Sequence, residues 1–184
     1  MDPEEPGLPV PGLRLEPATR RAMLEELDED IAEHRLYLSP VLSERGRTVF
    51  VRLLRTAIEL GTDASLAAEL AARERVIPPE RRRKQGEEHA LPARRVEAAT
   101  ALAQDEFHRF YARGLCRQAL ARGLRTLVIY RAKPAIPARA NADAMVGLNI
   151  DAASLLEDLR ASPDLRRPSG LPSYRDSGLS VRLP

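Results

Sequence analysis

The chain has little to stack, little to oxidise and no run long enough to cross a membrane. Aromatic residues make up 4% of its 184 residues, with no Trp, three Phe and four Tyr. That is too few rings for a protein that works by stacking bases on many of them. The single cysteine, Cys116, forbids an internal disulfide, whereas secreted domains of this size more often carry paired cysteines. Nowhere do roughly eighteen apolar residues run together, so no membrane span and no membrane partner are expected. The opening MDPEEPGLPVPG is acidic and Pro-rich, and lacks the basic flank and apolar run of a signal peptide. A cytoplasmic protein is the expectation.

Enzyme signatures are scarce as well. There is no Gly-rich phosphate loop, no nucleophile elbow, and no paired-Cys or His-x-x-x-His pattern, so neither a cofactor nor a metal is expected. Lysine is nearly missing: Lys84 and Lys133 stand against 27 arginines. GC-rich coding yields such a bias as readily as phosphate binding does, although Arg suits phosphate well.

What is present is an aliphatic, helix-forming chain. The hydrophobic fraction of 43% suffices for one core, and the charged fraction of 30% keeps it in solution. Residues 1–18 read as a flexible Pro-rich arm. Three-and-four spacing of Met23, Leu24, Leu27, Ile31 and Leu38 predicts a first helix from about Thr19 to Leu38, its other face filled with acids. Ser39-Pro40 reads as a helix start and Gly46 as an interruption. Val49, Phe50, Leu53, Leu54, Ala57 and Ile58 predict a strong helix over 47–60, stopped by Gly61 as a left-handed C-cap. A short helix capped by Thr62 or Asp63 follows, through Ala72.

Residues 77–95 have no helical or strand period, and with Pro78, Pro79, Gly86 and Pro92 they read as an exposed basic loop joining halves 19–76 and 96–161. A long helix is expected from Val96 to Arg122, ended by Gly123, and then a buried strand over Arg125–Ala132. A strand needs partners for its backbone groups. Met145–Ile150 and Gly178–Leu183 are the available mates, separated by a helix that Asp151 caps. Residues 162–184 read as an extended tail. The expected fold class is mainly α (α+β), one helical domain with a small two- or three-stranded sheet in its C-terminal half.

Charge is unevenly distributed. Residues 1–36 hold ten acids against four arginines, whereas 107–142 hold no acid at all. Within the long helix Arg109, Arg113 and Arg117 recur at i, i+4, i+8, on one narrow face at about 100° per residue. Phe107, Phe110, Tyr111, Leu115 and Ala119 take the opposite arc, which predicts an outward arginine ridge. Like charges at this spacing repel, so carboxylates should offset them, either a partner's or those of the first helix. Arg81, Arg82, Arg83 and Lys84 form a second basic cluster. Arg131 and Lys133, leaving the strand beside Tyr130, form a third polar rim.

The leading expectation is therefore a non-enzymatic binding protein that contacts nucleic acid or an acidic protein surface through these cations, with affinity falling steeply in salt. A second is an interaction or scaffold protein that docks or self-associates through its termini. A third is an enzyme built on the densest titratable group, Asp105, Glu106 and His108, where Asp105 and His108 share a helix face at i, i+3. Helices 47–60 and 63–72 also have helix-turn-helix lengths, but Ser65, Glu69 and Arg73 are a poor set for reading bases.

Overall fold

The computed structural model describes residues 12–77, 91–134, 140–161 and 170–184. The basic run 81–84, most of the linker that contains it, and most of the N-terminal arm lie outside that set.

Helix α1 (Pro17–Ala32) opens with proline in its first turn. It ends six residues before the expected Leu38. His34 takes a left-handed φ of 54°, and the N–H of Arg35 turns back to the carbonyl of Asp30 at 2.8 Å. No glycine announces that stop, which is why periodicity alone overran it.

Helix α2 (Glu44–Leu60) starts later than Ser39-Pro40 suggests. Ser43 is the cap, its hydroxyl accepting from the N–H of Gly46 at 3.1 Å. Gly46 does not interrupt this helix. It lies inside it, because the carbonyl of Arg75 presses so close that a Cβ would sit 2.0 Å from that oxygen. Gly61 does end α2, but with φ −119° rather than in the left-handed region. A side chain there would collide with the Ser65 hydroxyl at 2.2 Å, and that hydroxyl takes part in the Thr62–Ser65 capping box that starts α3 (Asp63–Ala71). The guanidinium of Arg20 closes the end of α2 by donating to the carbonyls of Ile58 (2.6 Å) and Gly61 (3.0 Å).

A 3-10 turn (Ala72–Glu74) leads to a bridge between Leu42 and Val76. Helix α4 (Leu91–Ala121) begins five residues before the expected Val96. Pro92 sits in its first turn, where a missing N–H costs nothing, and so it does not break the segment. Packed around α4 are α1, α3, α6 (Ala152–Ala161), α7 (Tyr174–Ser177) and the sheet. From Glu106 to Cys116 every residue of α4 is buried. Helices α1 and α4 cross in close contact at Gly114, where a Cβ would lie 2.9 Å from the backbone nitrogen of Met23.

The chain folds as a mainly helical structure with one three-stranded antiparallel sheet in its C-terminal half, in the order β2-β1-β3. Strand β1 (Thr126–Arg131) is central, with Leu127 opposite Ile150 of β2 (Asn149–Asp151) and Ile129 opposite Val181 of β3 (Leu179–Arg182). Both expected mates thus pair with the strand expected over 125–132. The first is shorter than expected because residues 144–147, including Gly147 at φ 87°, form a turn after α5 (Ala140–Asp143). Asp151 caps α6 by accepting from the N–H of Ser154 at 2.8 Å.

Candidate functional site

The arginine ridge expected on the outside of α4 is not outside. Side-chain exposure of Arg113 is 1%, and its guanidinium donates from Nε to Glu26 (2.9 Å) and from Nη1 and Nη2 to Asp30 (2.6 and 2.8 Å). It also lies 4.8 Å from the centroid of the Phe110 ring. One turn on, Arg117 reaches Glu25 and Glu26 at 2.8 and 3.0 Å and pairs with Glu29. Arg160 arrives from α6 and binds Glu26 (2.9 Å) and Glu29 (2.7 Å). Glu26 is fully buried. Burial pushes its carboxyl up, but Arg160, Arg113 and Arg117 together outweigh that and hold it below its ordinary value.

The cause is the surroundings of α4. A helix enclosed on all sides has no solvent face, so its charged stripe needs internal carboxylates, and α1 supplies them. Arg109 follows the same rule within α4 and donates to Glu106 at 2.6 Å. These three arginines are committed to the protein's own acids.

The Asp105, Glu106 and His108 cluster does not converge either. Asp105 faces Arg175 of α7 at 3.7 Å. Glu106 turns to Arg109. His108 places Nε2 2.9 Å from the Ser180 hydroxyl of β3 and stacks on Tyr174, with centroids 4.2 Å apart and planes 4° from parallel. Three side chains with three separate partners do not make a base and its orienter. Of the polar rim after β1, Arg131 donates to the Ser177 carbonyl at 2.8 Å and pairs with Asp143. Lys133 donates to Gln104 at 3.1 Å and lies over the Tyr174 ring. Burial lowers the affinity of Lys133 for its proton. Cys116 is buried beside this core, and burial raises its thiol to about 12, far from a reactive thiolate.

Comparison with protein-family models, curated proteins and solved structures finds no match. The chemistry of this chain's own surface therefore carries the functional reading.

Glu106 provides a pH test of the buried chemistry. Burial raises its carboxyl above the ordinary value, and Arg109 opposes this only in part. The group binds its proton more tightly folded than unfolded, so ionisation subtracts stability as pH rises from the ordinary value to the raised one. Glu106→Gln removes that loss. The melting temperature of the variant should gain on the natural protein as pH rises through that window. A difference independent of pH would show that Glu106 titrates normally.

One group of exposed cations lies at the end of the molecule where α2 starts, the 3-10 turn ends and α4 begins; Arg14, Arg21, Arg122 and Arg125 are exposed elsewhere. Four contacts tie these segments together. The Ser43 N–H and hydroxyl donate to the carbonyls of Arg75 (2.9 Å) and Glu74 (2.8 Å). The Ile77 N–H donates to Val41 at 2.8 Å. Arg95 of α4 reaches Glu74 at 3.5 Å. Segments 44–52, 69–77 and 91–97 together hold seven arginines and four glutamates. Two of those glutamates are taken, Glu69 by Arg75 (2.7 Å) and Glu74 by Arg95. Arg45, Arg47, Arg52 and Arg73 are exposed and have no carboxylate partner among the described residues. Arg45 leans on the Arg73 carbonyl at 3.5 Å, which puts those two side by side.

Sequence reasoning passed over this end because none of its segments is basic enough alone. The available signal was Arg45 and Arg52 at i, i+7 on the polar face of α2. Elsewhere, a groove of about 410 Å³ lies between α4 and α6. Its two guanidiniums, Arg35 and Arg160, are already engaged by Glu33 and by Glu26 with Glu29. Among the described residues no group of His, Cys, Asp and Glu is placed to hold a metal, and no helix is long and apolar enough to cross a membrane.

Proposed function

We propose that this chain is a non-enzymatic binding protein whose partner is nucleic acid, held by charge neutralisation at the α2–α4 end. The observation that carries this is the set Arg45, Arg47, Arg52 and Arg73, exposed and without carboxylates, on segments the fold ties together. Guanidinium groups held apart on a rigid helix, in water, are suited to phosphate oxygens. Asp105, Glu106 and His108, each turned to a different partner, offer no competing catalytic constellation.

The test is titration of a fluorescently labelled oligonucleotide, followed by anisotropy at low and then rising salt. Binding should weaken linearly on a log–log plot of affinity against salt. Arg45→Glu with Arg52→Glu should weaken it by about tenfold or more while leaving the thermal melt in place, since both side chains point into solvent. No binding at low salt, or binding indifferent to the double variant, would refute the proposal.

A second reading is favoured by Ile77, Leu91 and Val96, exposed apolar residues in or next to the same segments. They suit an acidic protein surface better than a phosphate backbone. A protein partner bound there would keep much of its affinity in high salt, because apolar contact does not depend on counterion release.

A further inference from the structure

We infer that the nucleic acid accepted at the α2–α4 end is a duplex, gripped through its phosphates without base stacking; this rests on the nucleic-acid reading above. Single-strand binders gain their affinity by stacking bases on exposed rings. This chain exposes no Phe, Tyr or Trp ring. Phe50, Phe107, Phe110, Tyr111 and Tyr174 are buried in the core. Tyr37 and Tyr130 are half-buried and engaged: Arg109 lies over the Tyr37 ring, and the Tyr130 hydroxyl donates to the Gly12 carbonyl at 2.8 Å. With no Trp in the sequence, that accounts for every Phe, Tyr and Trp.

The spacing of the cations points the same way. Arg45 and Arg52 stand on one face of α2, seven residues apart, a rise of about 10 Å. That is close to the width of the major groove of B-form DNA, about 12 Å. A duplex holds the phosphates of its two strands at such a separation without further ordering, whereas a flexible single strand must be ordered to present them. The end is also ill-equipped to read sequence. Segments 41–52, 69–77 and 91–97 contain no Asn, Gln or His, so the side chains that pair with adenine are missing. Helix α2 packs Phe50, Leu53, Leu54, Ala57 and Ile58 into the core and leaves Arg45 and Arg52 exposed on its other side.

The experiment is competition. A labelled DNA duplex bound to the full chain is displaced by unlabelled duplex DNA, duplex RNA, and each single strand of the same sequence. Duplexes should compete about tenfold or more better than single strands. AT-rich and GC-rich duplexes should be equivalent within about threefold, and Arg45→Glu with Arg52→Glu should abolish the duplex preference. Whichever of DNA and RNA competes better identifies the source of the helix. Single strands that compete equally or better, or affinity confined to one duplex sequence, would overturn the inference while leaving nucleic-acid binding intact. Failure of every nucleic acid to bind would overturn both.

Discussion

Arg113→Ala should cost this protein about 3–5 kcal/mol, because it takes from the buried Asp30 both hydrogen bonds of its guanidinium partner and from the buried Glu26 one of its three guanidiniums. The figure applies to a pair removed from water, and both partners qualify, at 1% and 0% side-chain exposure for Arg113 and Glu26. Urea denaturation at neutral pH would read the loss as a lowered midpoint. A change below about 1 kcal/mol, typical of exposed pairs, would mean that the cluster is open to water. Acid should narrow the gap. Glu26 binds its proton less tightly folded than unfolded, so its contribution is complete above the ordinary carboxylate value and disappears as pH falls through the depressed one. The natural protein has more of that stabilisation to lose than the variant, so the two midpoints should approach each other in acid. For the same reason charge reversal at Arg113 is unsuited to probing a partner: it would report on folding.

Gly46→Ala should be nearly as damaging, against what helix propensity alone suggests. In an isolated helix the change would stabilise by about 0.5–1 kcal/mol. Here the new methyl would sit 2.0 Å from the Arg75 carbonyl oxygen and 3.3 Å from a Leu42 methyl. That carbonyl cannot simply retreat, since it accepts the Ser43 N–H at 2.9 Å next to the Leu42–Val76 bridge. Overpacking against backbone should give a net loss of about 2–3 kcal/mol, read as a lowered melting temperature. A raised one would show that the junction yields freely. Because this junction carries Arg45 and Arg73, the variant should also bind oligonucleotide less well than its residual folded fraction predicts.

Much of the architecture was legible in the residues, and the reasons are local. Apolar spacing marked α2, a cap at Thr62 or Asp63 marked α3, and Gly123 closed α4. The continuous run Leu127–Ile129 marked the central strand, and the demand for backbone partners pointed to both of its neighbours. Boundaries failed where no punctuating residue stood: α1 stopped at a left-handed histidine, and Pro92 lay harmlessly inside a first turn. Gly46 and Gly61 were visible as glycines, but their purpose was not, because it lies in atoms distant in the chain or around a turn.

The linear order of residues was enough to determine that arginines at 109, 113 and 117 share one side of a helix and that acids crowd the first helix. It also implied that something must neutralise such a stripe, since periodicity and like-charge repulsion act between neighbours in one segment. Which carboxylates do so, and that solvent is shut out, depended on α1, α6 and the sheet closing around α4. Arg45, Arg47, Arg52 and Arg73 likewise belong to two segments apart in the chain, α2 and the 3-10 turn. Charge compensation and exposure are properties of the space between segments, and only folding creates that space.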